Sequence, residues 1–91
     1  MEQIKIGDTV EVIYTGEVYS TYKEAFKSLG FKNKEYNDTE TGQIGKVFGI
    51  KKHNSNGDTM YAVRFTDGRE VLIGTRGLKL LNSRNMLYKI Y

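Results

Sequence analysis

Apolar and polar residues alternate most regularly between Thr59 and Phe65. In this stretch every second residue is large and apolar, namely Tyr61, Val63 and Phe65. Because successive side chains of a β-strand point to opposite faces, these three residues share one face. The pattern therefore predicts a strand that is buried on one side and exposed on the other.

Shorter apolar runs on either side of this stretch predict four further strands. They are separated by groups of Gly, Asn, Asp and Ser, which are typical of turns. The predicted strands are Thr9–Tyr14, Gln43–Lys51, Glu70–Ile73 and Leu78–Leu81. Asp67-Gly68 separates two strands and predicts a type I′ hairpin turn, in which both central residues have positive φ.

The strand Gln43–Lys51 has an ambiguous face pattern. Simple alternation places Val47 and Ile50 on opposite faces, although both are apolar. A bulge or bend at one of the glycines in this strand brings Val47 and Ile50 to the same inner face. Phe48 then points outward between two lysines. Both arrangements are consistent with the pattern.

The segment Thr21–Gly30 predicts one short helix. Its first residue and Glu24 have the spacing of a capping box, and Tyr22, Phe26 and Leu29 form an apolar stripe. About nine residues are too few for a helix that is stable alone in water. We therefore expect the helix to pack on the sheet through Phe26 and Leu29. The polar residues 32–41 that follow predict an exposed loop.

Four groups of residues resemble SH3-like barrels of the KOW kind. They are Gly7-Asp8-x-Val10-x-Val12, Gly42-x-x-Gly45-x-Val47-x-x-Ile50, Tyr61-x-Val63-x-Phe65-x-Asp67-Gly68 and Leu78-x-Leu80. The resemblance implies a mainly β, SH3-like small barrel that forms a single domain over residues 1–91. The helix is then an insertion at residues 15–41, between the first two strands, and residues 82–91 are a C-terminal extension.

KOW modules occur in transcription elongation factors and ribosomal proteins, and related barrels occur in small phage proteins. The resemblance therefore implies a binding module for nucleic acid or for another protein. The inserted helix departs from the short loop that joins the first two strands of a KOW module.

The composition argues against several other classes of protein. The 91 residues include no cysteine and a single histidine, His53. A disulfide, a transition-metal site and a catalytic triad are therefore not expected, and neither is a cofactor or enzymatic activity. No apolar run is long enough to span a membrane. These features suit a cytoplasmic protein that is a monomer or weak dimer.

Charge is distributed unevenly along the chain. Residues 1–43 carry five lysines and eight carboxylates, a net charge of −3, whereas residues 44–91 carry nine basic and three acidic side chains, a net charge of +6. Such asymmetry is consistent with a polyanionic partner such as DNA or RNA, with an acidic protein surface, or with a merely solvated surface. The predicted phosphate-binding residues are Lys46, Lys51, Lys52, Arg64, Arg69 and Arg76, of which Lys51, Lys52 and Arg64 are expected at the surface. Phe48 or Tyr61 is predicted to stack on bases.

A protein-interaction module is the alternative interpretation. Its contact surface would include the helix, Tyr36 and the acidic first half of the chain, and a partner could add a strand at the edge of the sheet. A phage factor that docks on a host or regulatory protein is an example of this class. SH3-like folds serve both roles, so the fold does not discriminate between them.

Overall fold

Five β-strands account for most of the regular structure in the computed structural model, which describes residues 4–19, 27–32, 39–52 and 59–81. They are β1 (Thr9–Val12), β2 (Ile44–Lys52), β3 (Thr59–Phe65), β4 (Glu70–Gly74) and β5 (Leu78–Leu80). All five predicted strands are confirmed, although β1 ends two residues earlier than expected. Within the described ranges, three 3-10 turns are also present, at Thr15–Glu17, Lys27–Leu29 and Thr75–Gly77.

Several predictions concern residues that the structure does not describe. Most of the helix predicted at Thr21–Gly30 lies outside the described residues, including Phe26. Its last part, Lys27–Leu29, forms a 3-10 turn. Tyr36, His53 and residues 82–91 also lie outside the described residues.

The five strands form one antiparallel sheet in the order β4-β3-β2-β1-β5. In the described part of the chain no strand ladder joins β4 to β5, so the sheet is open. The edge at β4 is partly covered, because Val18 bridges to Ile73 and the Tyr19 amide donates to the Leu72 carbonyl at 2.7 Å. The mainly β prediction is therefore confirmed as an open five-stranded sheet.

The inner face of the sheet carries the main hydrophobic core. All five strands contribute to one buried cluster, which consists of Ile4, Val10, Val12, Val47, Tyr61, Val63, Phe65, Val71, Ile73 and Leu78. The two edge strands, β4 and β5, are separated along the chain only by Thr75–Gly77, so the sheet must curve around this cluster. The predicted apolar face of β3 is thus confirmed as a core face.

The opposite face of β3 is also buried, which the alternation did not predict. Met60 and Ala62 are almost fully buried there, and so is Leu72 of the neighbouring β4. Residues 27–32, here named the covering segment, cross this outer face. Leu29 lies against Gly49, where a Cβ atom would come within 3.1 Å of the Leu29 Cβ. The expectation that β3 is buried on one side only is therefore wrong.

A bulge in β2 decides which of its side chains face outward. Val47 pairs with Val63 and Gly49 pairs with Ala62, so the register shifts across Phe48. Val47 is buried in the core and Ile50 packs against it, as the bulged alternative requires. Phe48 lies outward, where its ring meets the Phe31 ring edge to face, at a centroid distance of 5.1 Å.

The β3–β4 hairpin is confirmed, but its predicted turn type is wrong. Only Gly68 has a positive φ, at +91°, whereas Asp67 does not. The Gly68 amide donates to the Phe65 carbonyl at 3.0 Å, and the Phe65 amide donates to the Arg69 carbonyl at 2.9 Å. This is the pattern of a three-residue loop in which a turn is followed by a glycine bulge.

Candidate nucleic-acid interface

The bulge at Phe48 brings basic and apolar side chains of β2 onto the same outer face. Lys46 pairs with Arg64 and Lys51 pairs with Met60. Arg64 and Met60 alternate on one face of β3, so their partners on β2 also share a face. We call the outward residues Ile44, Lys46, Phe48 and Lys51 the β2 row. Without the bulge, Lys51 would lie on the face opposite to Lys46.

Lys46 is the exposed cation at the centre of this surface. It lies between Thr9 of β1 and Arg64 of β3, its two cross-strand partners. Within the described ranges, no carboxylate is recorded in an ion pair with Lys46. The Lys46 ammonium group can therefore bind an external anion without first breaking an ion pair with a described carboxylate.

Arg64 lies beside Lys46 but is committed to an internal ion pair. Its Nη2 and Nε atoms donate to Glu70 Oε2 at 2.6 and 2.8 Å, respectively. The side chain of Arg64 is 34% exposed and that of Glu70 only 1%. Arg64 is therefore only partly exposed and its charge is compensated by Glu70, and its contact with phosphate stays a prediction.

Glu70 also fixes the covering segment to the sheet. Its carboxylate oxygens accept hydrogen bonds from the Lys32 amide at 3.0 and 3.3 Å. The Gly30 carbonyl of the same segment accepts a long hydrogen bond from Arg64 Nη2 at 3.5 Å. Glu70 is not among the predicted site residues, yet the hairpin register places it directly opposite Arg64, and opposite charges at such positions indicate a cross-strand ion pair.

The Phe48 ring packs against Arg64 and is not fully exposed to solvent. The Arg64 Cζ atom lies 4.3 Å from the centroid of the Phe48 ring, within the range of a cation–π contact. Phe31 packs on the same ring, which is half-buried. Tyr61, the other residue predicted to stack on bases, is 4% exposed and belongs to the core. Tyr61 is therefore corrected from a stacking candidate to a core residue.

The remaining predicted phosphate ligands lie elsewhere on the molecule. Arg69 Nε is 2.7 Å from Asp67 Oδ2 in the β3–β4 loop. Hydrogen bonds from Arg69 lower the pKa of Asp67 below its ordinary value. The bond from the Arg69 backbone amide has the larger effect, and the bond from its side chain has the smaller one. Arg76 is 85% exposed in the turn before β5, where its Nε atom lies 3.9 Å from Glu17. Lys52 is exposed at the end of β2.

A cleft of about 350 Å³ opens on the outer face beside the β2 row. It includes three of the predicted site residues, Lys46, Phe48 and Arg64. The complete lining is Thr9, Ile44, Gly45, Lys46, Phe48, Arg64, Phe65 and Thr66. Ile44 is 49% exposed and is not among the predicted site residues, although simple alternation along the strand places it on the same face as Lys46 and Phe48.

The described residues define neither a metal centre nor a membrane span. Across residues 4–19, 27–32, 39–52 and 59–81, no group of three or more His, Cys, Asp or Glu side chains could hold a metal ion. In the same ranges no helix has the length and apolar character needed to cross a membrane. The chemistry of the cleft is that of apolar contact beside a cation.

No protein-family model, no curated protein and no solved structure matches this chain. The functional interpretation therefore rests on the geometry of the β2 row and the cleft.

Proposed function

We propose that this protein is a small, non-enzymatic nucleic-acid-binding module that contacts its ligand through the β2 row and the adjoining cleft. The observation that carries the proposal is the shared outward direction of Lys46, Phe48 and Lys51, which results from the β2 bulge. Basic side chains interleaved with apolar ones suit a ligand that has both phosphates and bases. Lys46 contacts phosphate, and the apolar residues contact the bases.

The arrangement of the sheet also supports assigning it to the SH3-like barrels. In the order β4-β3-β2-β1-β5, the first strand lies between the second and the last. The sheet curves around one core to which both edge strands contribute. Together with the KOW-like residue pattern, these features support an SH3-like module with an insertion at residues 15–41.

The proposal is tested by fluorescence anisotropy with a labelled oligonucleotide at low salt. We expect affinity on the order of micromolar, because a surface this small reaches few phosphates. Lys46→Glu should weaken binding about 10-fold, since it replaces an attractive charge near the phosphates with a repulsive one. Arg76→Glu changes the net charge by the same amount at an exposed position outside the β2 row, and it should have a much smaller effect.

Equal losses in the two variants would show that binding depends on net charge and not on the β2 row. No binding by the unaltered protein near 50 mM salt would reject the nucleic-acid proposal. Circular dichroism melting of both variants verifies that they remain folded.

A second candidate function is protein interaction, and it is favoured by one specific observation. Ile6 precedes β1 and is 65% exposed, and Tyr14 follows β1 and is 56% exposed. Large apolar side chains at the surface mark protein-binding sites where they form a contiguous patch. A partner that is retained after nuclease treatment, and lost in Tyr14→Ala, would support this function.

A further inference from the structure

We propose that the outer-face cleft binds an unpaired base, so that the ligand is a single-stranded nucleic acid and not a duplex. This inference rests on the proposed function and specifies the form of the nucleic acid. The cleft lies where the covering segment leaves the outer face open, beside β1 and β2. Its volume of about 350 Å³ is near the lower end of the range for small-molecule sites.

One wall of the cleft is a planar cation held in a fixed orientation. The Arg64 guanidinium lies over the Phe48 ring, with 4.3 Å between Cζ and the ring centroid. Two hydrogen bonds to the buried Glu70 restrict its rotation. Guanidinium planes and aromatic rings are the surfaces on which proteins stack unpaired bases. Because Glu70 neutralises its charge, Arg64 contributes a stacking surface and little net attraction for phosphate.

The rest of the cleft offers apolar contact with a phosphate-binding group at its rim. Ile44 is about half exposed, and its side chain forms an apolar part of the lining. Lys46 is exposed on the same strand, two residues further along. A base in the cleft would therefore have its own backbone close to a cation. This combination of stacking surface, apolar lining and adjacent positive charge is typical of single-strand sites.

The concave shape argues against a duplex as the ligand. Paired bases expose only their edges, which proteins reach by inserting a helix or a β-ribbon into a groove. Here the recess is in the protein, so the base must enter the cleft. A base can do so only when it is unpaired and its flat faces are accessible.

Three fluorescent probes separate base contact from phosphate contact. They are a single-stranded oligonucleotide, the same strand in a duplex, and an abasic strand of the same length. We expect the strand with bases to bind at least about 5-fold more tightly than the abasic strand, given the usual contribution of stacking. It should also bind more tightly than the duplex at equal salt.

Ile44→Ala and Ile13→Ala form a matched pair of variants, since the two isoleucines are 49% and 46% exposed. Only Ile44 lines the cleft. Ile44→Ala should weaken binding of the strand with bases by about 3-fold or more, because it removes apolar contact area. It should leave binding of the abasic strand unchanged, and Ile13→Ala should change neither.

The other outcomes would reject either the base-binding inference or the proposed function. Equal affinity for all three probes would overturn the base-binding inference and leave the proposed function intact. A preference for the single strand that Ile44→Ala does not reduce would place the base outside the cleft and overturn the inference. Absence of binding to every probe at low salt would reject the proposed function itself.

Discussion

Gly68 shows how one backbone angle fixes the end of a hairpin. Its φ of +91° lies in a region that side chains with a Cβ atom rarely adopt. A Cβ atom at this position would meet no other atom within 4 Å. Any loss of stability on substitution therefore comes from backbone strain and not from a steric clash.

We expect Gly68→Val to lower the free energy of unfolding by about 1–2 kcal/mol. Gly68→Asn is the control, because asparagine tolerates the left-handed region better than a β-branched residue. Urea titration of the three proteins measures the difference. Identical midpoints for Val and Asn would contradict the assignment of strain to this residue.

The sequence predicted the position of this turn but not its type. Asp-Gly suits a type I′ turn, yet the observed loop has three residues and requires a positive φ only at Gly68. The type I′ turn and the observed three-residue loop differ in the backbone conformation of Asp67. That conformation depends on the register of the whole hairpin. Local residue preferences do not specify that register.

Asp67 should give the protein a small pH-dependent contribution to stability. The hydrogen bonds from Arg69 lower the pKa of Asp67 in the folded state, whereas the unfolded value is near 3.8. A group with a lowered folded pKa stabilises the protein above its unfolded pKa. As the pH falls, this contribution decreases below pH 3.8, and it is lost below the pKa that Asp67 has in the folded protein.

Asp67→Asn should therefore be less stable than the unaltered protein near neutral pH, and the difference should vanish in acid. Thermal melting from neutral pH down to about pH 2 measures it, at pH values that span the range in which carboxylates titrate. A difference that stays constant with pH would show that the carboxylate charge is not responsible.

At the scale of the element, the β2 bulge determines both the core and the candidate site. The sequence allowed a bulged and a regular strand, and only packing distinguishes them. Val47 and Ile50 must both reach the inner core, while Phe48 meets Phe31 of the covering segment. Phe31 is distant in sequence, so this contact could not be read from the local pattern. The cleft also could not be predicted from the local pattern, because residues of three strands line it.

The β3–β4 hairpin contains two arginine–carboxylate pairs that differ in burial. Glu70 is 1% exposed in its pair with Arg64, whereas Asp67 is 49% exposed in its pair with Arg69. Removing one partner from a buried pair leaves an uncompensated charge, whereas exposed pairs contribute little. The two pairs thus provide a matched comparison within one hairpin.

We expect Arg64→Ala to lower the free energy of unfolding by roughly 3 kcal/mol, and Arg69→Ala by less than about 1 kcal/mol. Chemical denaturation at neutral pH measures both. The double variant R64M/E70L, in which apolar residues replace the pair, should recover part of the stability, because it removes the uncompensated charge but also the acceptor of the Lys32 amide. Equal effects of the two single variants would contradict the structural role of the Arg64–Glu70 pair.

Across the whole chain, the hydrophobic pattern predicts the strands better than the charge distribution predicts the available cations. Alternation in Thr59–Phe65 and short apolar runs bounded by turn residues predict all five strands, because burial on the inner face requires apolar residues in each of them. The distribution of charge along the chain predicts six phosphate-binding residues. It does not predict which of these cations have acidic partners in the folded protein. Arg64 and Arg69 have them within hydrogen-bond distance. In the proposed function, the two lysines of the β2 row, Lys46 and Lys51, therefore contribute most of the attraction for phosphate.

The salt dependence of binding measures how many phosphates those lysines engage. For single strands each contact contributes about −0.7 to the slope of log K against log salt concentration. Contacts from Lys46 and Lys51, the two cations of the β2 row, give an expected slope of about −1.4, and Lys46→Glu should reduce its magnitude to about 0.7. The measurement is anisotropy with a single-stranded probe over a salt series. A slope near −4 would mean about six contacts, so that the paired arginines also bind phosphate and the internal ion pairs open on binding. An unchanged slope in Lys46→Glu would show that the phosphate backbone does not pass along the β2 row.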